Sequence, residues 1–589
     1  MTHRDPLLSF EFATSEGSIK PLTFQKPLKV YKAYKIEDVL PNLERVQAEI
    51  QKGYYAAGFL SYESAPAFDP AFKVQGGGTM PLLWFGIFTE PQEEAISSSG
   101  AYHLSEWAPS VNRCEFDSVI QSIKHSIEIG DTYQTNYTLR MCSQFQGDDI
   151  AYFETLKRAQ SSNYCSYVHT GEHSILSASP ELFFRLKGTE LTTRPMKGTI
   201  KRGNSTEEDK LNANWLYHSD KDRAENVMIV DLLRNDLGMI AETGSVKVEK
   251  LFEIEQYPTV HQMTSTIKGK VPENTQLSDI FKALFPCGSI TGAPKISTME
   301  IIADLETAPR EVYCGAIGYI TPNKEAIFNV PIRTVLIEQE TGKATYGVGG
   351  GVTWDSTSEG EYHEVLAKAS LLTANRPEFQ LLESLLLHEG QYFLLEEHLQ
   401  RLENTATYFG YQYSRERVEK DLAELAASTS GDKVKVRLLV AKDGKITLDA
   451  HPLSQFEESL TVMLADEPVD KNNPFLYHKT TNREIYSYFQ GKKPAEVFDA
   501  LLWNEDGELT EFINGNVVLE MDDCYWTPPI ESGLLSGTYR DMLIKNGEIQ
   551  ERTLTLGDLH KSKRIWFINS VRKWVEVRLI NTGQEDNQY

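Results

Sequence analysis

The sequence predicts an α+β protein with large sheets, and three observations lead to this fold class. Segments 150–160, 216–237 and 295–306 repeat apolar residues at helical spacing. Segments 313–320 and 327–337 are rich in β-branched and aromatic residues, as buried strands are. The two kinds of segment follow one another in blocks, which favours α+β.

A boundary between two domains is visible near residue 377, and a chain of 589 residues is too long for one core. The helix-like run EGEYHEVLAKASLLTA ends near Asn375, and Pro377 disfavours helix in the residue before it. A strand pattern, LLESLLLHEG, then begins. We expect domains over residues 1–377 and 378–589.

Composition and charge exclude several classes of protein. The formal charge of −25 repels polyanions, so we expect no nucleic-acid partner, although a small anionic substrate stays open. No stretch approaches 18 consecutive apolar residues, which predicts no membrane partner. Six cysteines without a CxxC pair indicate neither a zinc knuckle nor a disulfide framework. The polar N-terminus is unlike a signal peptide, and we expect a cytoplasmic protein.

Two pairs of acidic residues suggest a metal site. Asp222 and Glu225 lie three apart on a predicted helix, and Glu361 and Glu364 repeat that spacing further along. Residues three apart share one helix face, and two such faces could hold Mg²⁺, which prefers a few carboxylates, waters and an anionic substrate. The alternative is two solvated acidic faces.

Other polar residues have two interpretations each. Glycine clusters 288–292 and 349–351 could present backbone N–H groups to a carboxylate, or could be ordinary turns. Arg333 lies in an apolar, strand-like run and needs an anionic partner if it is buried, either a substrate or a structural ion pair. Lys197 would become a nucleophile if desolvated, or is a surface lysine.

Taken together, these clusters resemble the chorismate-utilising enzymes, which include the anthranilate, aminodeoxychorismate, isochorismate and salicylate synthases. The resemblance covers about residues 110–375 and implies large antiparallel sheets with helices. The matching segments are GDTYQTNYT (130–138), SPELF (179–183), RPMKGT (194–199), DKDRAENVMIVDLLRNDLG (220–238), PTVHQMTS (258–265), FPCGSITGAPK (285–295), CGAIGY (314–319), IRT (332–334) and GGGVTWDS (349–356).

Within this family, Lys197 points to one branch. Aminodeoxychorismate synthases have lysine in this motif, whereas anthranilate synthases typically have alanine. The resemblance implies that Lys197 adds at C2 of chorismate while the C4 hydroxyl leaves, and that ammonia then enters at C4 and expels the lysine. Glu181 would be the acid and base at C4.

The resemblance also implies the remaining parts of this site. Ammonia would come from a separate glutamine amidotransferase subunit or from solution, since we find no G-x-C-x-G glutaminase motif. Chorismate would be bound together with Mg²⁺. The implied residues are Glu225 and Glu364 as metal ligands, Asp222 and Glu361 as supporting acids, His261 near the ring, Tyr319 and Arg333 at the side-chain carboxylate, and Thr291, Gly349 and Gly350 as further substrate contacts.

A second set of residues follows the boundary: Arg401, Lys479, Glu511 and Gly537-Thr538. Singly they are an ordinary arginine, lysine, acid and turn, but their order resembles fold-type IV pyridoxal 5'-phosphate enzymes over about 380–580. The resemblance implies an α/β domain in which Lys479 bonds to the cofactor aldehyde and Glu511 keeps the pyridine nitrogen protonated. Arg401 and the turn would hold the phosphate.

The two resemblances together imply a bifunctional enzyme. The second domain would be a 4-amino-4-deoxychorismate lyase, which releases pyruvate from the first domain's product and leaves 4-aminobenzoate for folate synthesis. Asn482-Arg483 follow Lys479 where branched-chain aminotransferases have a tyrosine. An aminotransferase and a non-catalytic docking domain stay as alternatives. Fold-type IV relatives usually pair across the cofactor site, so a homodimer through this domain is open.

Overall fold

The computed structural model describes residues 4–14, 16–374, 376–429, 433–453 and 460–580. These residues divide into two compact units. The first unit contains residues up to 201 and 213–376, and the second contains 202–212 and the chain from 377 onward. Asn375, where the sequence predicts a helix end, lies outside the described residues. In the described parts of the chain, no helix is both long enough and apolar enough to span a bilayer.

The helices of the first unit bury one apolar side each. In α1, for example, Val39, Leu43, Val46 and Ile50 follow helical spacing and are buried. The segment at 216–237 is two helices rather than one, because Ser219 is extended and its side chain caps the second by accepting from the N–H of Asp222. In chain order the helices are α1 (Ile36–Gln51), α2 (Arg113–Glu128), α3 (Asp149–Gln160), α4 (Thr206–His218), α5 (Asp220–Gly238), α6 (Leu277–Leu284), α7 (Lys295–Leu305) and α8 (Ser358–Ala369). Helix α4 is shared, since its residues 206–212 belong to the second unit and 213–218 to the first.

The strands of the first unit pair antiparallel. They are β1 (Leu7–Ala13), β2 (Ile19–Gln25), β3 (Lys29–Ala33), β4 (Tyr55–Leu60), β5 (Leu83–Phe88), β6 (Tyr102–Leu104), β7 (Ala108–Pro109), β8 (Gln134–Gly147), β9 (Tyr164–His169), β10 (His173–Ser179), β11 (Leu182–Lys187), β12 (Glu190–Arg194), β13 (Met196–Lys201), β14 (Lys247–Gln256), β15 (Val260–Lys270), β16 (Gly292–Ala293), β17 (Ala316–Ile320), β18 (Ala326–Asn329), β19 (Thr334–Glu338) and β20 (Lys343–Val352).

Within the described residues these strands make two ten-stranded sheets. One runs β16-β8-β20-β19-β10-β9-β1-β2, with β6 and β7 added on β8. The other runs β13-β15-β12-β11-β18-β17-β4-β5-β3, with β14 added on β15. Apolar side chains such as Phe59, Trp84 and Ile175 are fully buried beneath them. Long antiparallel sheets with helices confirm the predicted fold class.

The predicted strand at 327–337 is interrupted. It forms β18 and β19, and the chain between them turns at Arg333, whose φ is 53°. A positive φ is uncommon for a residue with a side chain and breaks the alternation of a strand. Arg333 therefore sits at a bend immediately before β19.

The second unit combines helices with two sheets in its described part. Its helices are α9 (Leu395–Phe409), α10 (Arg415–Ser428), α11 (Glu484–Lys492), α12 (Thr538–Lys545) and α13 (Leu556–Lys561). Its strands are β21 (Leu381–His388), β22 (Gln391–Tyr392), β23 (Lys433–Val440), β24 (Ile446–Pro452), β25 (Leu460–Leu464), β26 (Asp499–Trp503), β27 (Leu509–Phe512), β28 (Gly515–Met521), β29 (Cys524–Thr527), β30 (Gln550–Glu551), β31 (Arg564–Asn569) and β32 (Lys573–Leu579).

One sheet of this unit curls on itself. The order is β27-β26-β25-β32-β31-β28-β29-β30, and a further pairing joins β27 to β28. Strand β25 lies parallel to both β26 and β32, whereas β27 and β28 are antiparallel. The closure brings Glu511 opposite Asn516, which fixes a carboxylate on the inner wall. The remaining sheet, β22-β21-β23-β24, is antiparallel.

Candidate active sites

The first unit holds a cavity of about 490 Å³ that gathers most of the predicted residues from six separate stretches of chain. Strand β13 supplies Lys197, helices α5 and α8 supply the acids, and β20 supplies the glycines. The predicted residues that line it are Glu181, Lys197, Asp222, Glu225, Arg333, Gly349, Gly350, Glu361 and Glu364.

Lys197 is held inside this cavity with its amine partly desolvated. Its side chain is 15% exposed, and Nζ lies 3.9 Å from Oε2 of Glu225. The amide of Asn226 donates to the Lys197 carbonyl at 3.3 Å, which anchors the main chain. Burial lowers the pKa of Lys197, and the nearby cation Lys368 lowers it further, against the pull of Glu225. A larger share of neutral amine makes Lys197 a better nucleophile.

Glu181 supplies an acid with a pKa near neutrality. It precedes β11, and its side chain is only 3% exposed. Burial raises the pKa of Glu181 to about 7, although the hydroxyl of Ser289, which donates to Oε1 at 2.6 Å, favours the ionised form. A carboxyl group that is protonated about half the time at neutral pH can both give and take a proton.

The four acids on α5 and α8 already have partners within the protein. Ser356 donates to Glu361 at 2.6 Å, and Nζ of Lys368 lies 2.6 Å from Glu364. Desolvation raises the pKa values of Glu225 and Glu361. Desolvation opposes ionisation of Glu364 as well, but the cations Lys368, Lys197 and Lys221 together lower its pKa.

These carboxylates suit an open magnesium site rather than a closed one. In the described chain, no three His, Cys, Asp or Glu side chains gather into a metal cluster. Mg²⁺, however, uses one or two carboxylates, waters and substrate oxygens rather than a closed protein cage. Glu225 and Glu364 offer hard oxygen ligands on the same cavity wall, so the residues present fit that open kind of site.

Arg333 provides a cation for an anionic ligand. Burial lowers the pKa of Arg333, while Tyr346, Tyr257 and Glu181 favour its charged form. The guanidinium has no ion pair with the acids of the described residues, unlike a structural arginine such as Arg310, which pairs with Glu306 at 2.6 Å. The lining beside Arg333 includes Tyr313 and Tyr346. The arrangement suits a substrate carboxylate.

Three predicted residues lie outside the lining of this cavity. Tyr319 packs on Phe10 and Phe12 with ring centroids 5.3 and 5.9 Å away, and Tyr313 lines the cavity instead. His261 is buried on β15, where neighbouring side chains face opposite sides of the sheet, so that Gln262 takes the cavity-facing place. Thr291 donates to the carbonyls of its own turn. The roles of these three residues stay predictions.

Sequence reasoning missed Gln262 and Ser289, although both lie within motifs that it identified. Gln262 donates to the Gly198 carbonyl at 2.8 Å and accepts from Thr199 at 2.9 Å, which braces the strand that carries Lys197. The alternation of β15 would have indicated one of His261 and Gln262, but not which. The cluster at 349–351 also proves to be strand rather than turn, since it pairs with β8.

The second unit holds a cavity of about 570 Å³, and all five predicted residues of that domain line it. They are Arg401, Lys479, Glu511, Gly537 and Thr538. Arg401 is on α9, Glu511 is on β27, and Gly537 precedes α12. Lys479 lies on a loop before α11, and the N–H of Leu382 donates to its carbonyl at 3.0 Å, so the lysine is fixed against β21.

Lys479 and Glu511 have strongly shifted pKa values. Burial lowers the pKa of Lys479 to about 7, and the cation Arg401 adds to that effect. Burial raises the pKa of Glu511 to about 7, although Tyr486 donates to it at 2.6 Å. Asn516 donates to the other oxygen of Glu511 at 3.3 Å. An amine poised to react and a buried carboxylate fit the aldehyde and the ring nitrogen of pyridoxal phosphate.

Residues at the start of α12 could bind the phosphate group of pyridoxal phosphate. Gly537 is the N-cap of this helix, and a Cβ there would clash with the Asn516 side chain. Thr538 is buried, with its hydroxyl 3.3 Å from His398. Arg401 is held by Glu383 at 2.7 and 2.8 Å. Helix N–H groups, a hydroxyl and a fixed arginine suit a phosphate.

Further cations line the same cavity. Lys435 and Arg437 alternate on β23 and so share one side of the strand, and Arg483 and Arg572 also line the wall. Burial lowers the pKa of Lys435, and the neighbouring arginines lower it further. This excess of positive charge suits a substrate that carries carboxylates.

Each of the two predicted domains contains a region that matches a known protein family. Residues 91–374 match the chorismate binding enzyme family, and residues 380–580 match the amino-transferase class IV family. The chain is 41% identical over 266 residues to aminodeoxychorismate synthase component 1 of Salmonella typhimurium, which covers 45% of this chain and 58% of that relative's length. It is 37% identical to anthranilate synthase component 1 of Methanothermobacter marburgensis, over 54% of this chain and 73% of the relative.

A solved structure extends the comparison to the fold. Anthranilate synthase component I from Streptococcus pneumoniae superposes with a TM-score of 0.51 at 25% identity, covering 63% of this chain and 91% of that one. The similarity accounts for the antiparallel sheets of the first unit. The chain spans 54–62% of the length of four relatives named aminodeoxychorismate synthase component 1.

Proposed function

Because the chain belongs to the family of chorismate-binding enzymes and also carries an amino-transferase class IV region, we propose that it makes 4-aminobenzoate from chorismate in two steps. Residues 1–377 would aminate chorismate to 4-amino-4-deoxychorismate, and residues 378–589 would eliminate pyruvate from that product. The observation that carries the proposal is a desolvated lysine in each of two cavities, Lys197 and Lys479, each beside a carboxyl group with a raised pKa.

In the first cavity, Lys197 would act as the nucleophile. Its neutral amine forms a bond to C2 of the ring while the two ring double bonds shift and the C4 hydroxyl departs. Glu181 in its acid form gives that hydroxyl a proton, so that water leaves. Ammonia then adds at C4, the two double bonds shift back, and the Lys197–C2 bond breaks. The pKa of Glu181, about 7, permits it to return to the acid form after each cycle.

The substrate would be held by charge at both ends. Arg333 takes the carboxylate of the enolpyruvyl side chain, with Tyr313 and Tyr346 beside it. Glu225 and Glu364 would hold Mg²⁺, which supplies positive charge next to the ring carboxylate. The backbone of Gly349 and Gly350 permits a close approach of substrate to β20.

In the second cavity, Lys479, Glu511 and the start of α12 would hold pyridoxal phosphate. When bound, this cofactor supplies an electron sink for the carbon that loses its proton. Glu511 keeps the pyridine nitrogen protonated, and Lys479 removes the proton from C4 of the substrate. Loss of the enolpyruvyl group then gives pyruvate and an aromatic ring. Lys435 and Arg437 lie where they can bind the substrate's carboxylates.

The nitrogen would come from a separate glutamine amidotransferase subunit, or from free ammonia. The name component 1, carried by the Salmonella relative, supports the existence of a second component. We propose the cytoplasm as the site of this reaction, and a homodimer through the second domain as the assembly.

The deciding experiment is mass spectrometry of the products formed from chorismate, ammonium, Mg²⁺ and pyridoxal phosphate by the full chain. We expect 4-aminobenzoate and pyruvate in equal amounts. Lys197→Ala should abolish or redirect amination, while Lys282→Ala, an exposed lysine on α6, serves as the control. An unchanged rate and product in Lys197→Ala would contradict the covalent role.

The same experiment separates a lyase from an aminotransferase. A lyase releases pyruvate from 4-amino-4-deoxychorismate with no keto-acid acceptor, because the amine stays on the ring. A strict requirement for such an acceptor, with no 4-aminobenzoate formed, would identify the second domain as an aminotransferase instead.

A further inference from the structure

Residues 202–212 belong to the second unit, although the chain on both sides of them belongs to the first. This segment carries its own buried ion pair. Arg202 donates to the two oxygens of Asp209 at 2.6 and 2.7 Å, and the residues are 8% and 7% exposed. The N–H of Gly203 also donates to Asp209 at 3.0 Å. The ion pair therefore neutralises the two buried charges of a segment that leads into α4 and includes its residues 206–212.

The segment exchanges hydrogen bonds with the end of α9. Arg202 donates to the carbonyl of Tyr408 at 2.9 Å, and the hydroxyl of Tyr408 donates back to the carbonyl of Gly203 at 2.8 Å. The guanidinium carbon lies 4.2 Å from the centre of the Tyr408 ring. Two reciprocal bonds and a cation–π contact fix the position of Tyr408.

Tyr408 in turn contacts the residue that precedes the cavity lysine. Its ring stacks on the imidazole of His478, with centroids 4.0 Å apart and planes at 29°. His478 is 4% exposed, and burial lowers its pKa to about 3, so that it is uncharged at neutral pH. The backbone of Asn204 also hydrogen-bonds the imidazole. The segment thus contacts His478 both directly and through Tyr408.

We propose that residues 202–212 are a positioning element of the second cavity. Through Tyr408 and His478 they set the position of the Lys479 amine and exclude water from it. The inference rests on the proposed function of Lys479. The contacts that carry it all lie within the second unit. The element follows five residues after Lys197 in the chain, so a fragment that starts at 378 would lack it.

Loss of the element should raise the proton affinity of Lys479. Burial is the largest cause of its lowered pKa, and water admitted beside His478 would weaken that cause. The charged and titratable groups that face Lys479 stay in place in every variant below. They are Arg401, Glu383, Arg483, Glu511 and His398.

The test measures the Lys479 amine in the full chain without any cofactor. An acylating reagent labels neutral amines, and peptide mass spectrometry follows labelling of Lys479 across pH. In Arg202→Ala we expect the midpoint to rise by about one unit, so that labelling in mildly acidic buffer slows roughly tenfold. Arg415→Ala, which removes a half-buried arginine at the start of α10, is the matched control. A labelling profile in Arg202→Ala equal to that control would overturn the inference.

A variant that removes fewer contacts tests the same inference if Arg202→Ala does not fold. Tyr408→Phe keeps the ring on His478 and removes only the hydroxyl bond to Gly203. A smaller shift in the same direction supports the inference, and an unshifted profile overturns it. Pyridoxal phosphate added to the starting protein tests the proposed function separately. If no visible band forms, the cofactor role of Lys479 fails, while the labelling profile still decides whether residues 202–212 position its amine.

Discussion

Gly351 offers a sharp test of the first cavity, because a methyl group there would displace the Lys197 amine. A Cβ at Gly351 would lie well inside 3.0 Å of Lys197 Nζ and of the Gln134 amide, both of which end flexible side chains. The backbone at Gly351 has no positive φ, so Gly351→Ala should fold. The amine must move by roughly 1 Å, and misplacement of that size costs on the order of a hundredfold in rate. This corresponds to about 2.7 kcal/mol of activation free energy.

The assay is the initial rate of amination with saturating ammonium. Gly238→Ala is the matched control, since a Cβ at the end of α5 meets nothing within 4 Å. Pyruvate release from supplied 4-amino-4-deoxychorismate, the second cavity's proposed reaction, should be unchanged in both variants and reports on folding. Amination by Gly351→Ala within about threefold of the control would refute the placement of the reacting amine.

The same geometry leads to three further predictions. Amination should fall as pH rises through about 7, because Glu181 is then lost as an acid, and Glu181→Gln should lack this alkaline limb; a rate that stays constant to high pH in the starting protein would contradict its role. Glu364→Gln should raise the Mg²⁺ concentration needed for half-maximal amination at least roughly tenfold. Glu359→Gln, which changes an exposed residue of the same helix, should not raise it. Equal Mg²⁺ titrations of the two variants would show that Glu364 is not a metal ligand. Lys479→Ala should abolish the visible absorbance of added pyridoxal phosphate, and Lys471→Ala should retain it; a band that persists in Lys479→Ala would place the cofactor elsewhere.

Motifs and their order along the chain are enough to predict most of the candidate residues that line the two cavities. The residues Lys197, Glu225 and Glu364 fall in separate stretches of sequence, yet each stands in a recognisable segment and all three line one cavity. In the second unit, Lys479 and Glu511 also come from separate segments and line one cavity. A motif is a short run of consecutive residues, so the type and spacing of its candidate residues can be read directly from the sequence. The roles assigned to these residues, and the boundary at 377, stay predictions.

Motifs did not reveal which of two neighbouring side chains faces a cavity. The segment PTVHQMTS suggested His261, but the pleat of β15 places Gln262 toward Lys197. In the same way Tyr319 turns into an aromatic cluster while Tyr313 lines the first cavity. A shift of one residue reverses the face of a strand, and register depends on partner strands far away in the chain.

The sequence alone determined the kind of fold, and it supplied two sets of candidate residues in their order along the chain. The tertiary structure decided how far each group is desolvated, and desolvation shifts the pKa values of Glu181 and Lys479. The sequence could not show this, because desolvation depends on every atom around a group rather than on its neighbours along the chain. The tertiary structure also decided that residues 202–212 pack beside His478, a contact between segments more than 250 residues apart for which no local pattern exists.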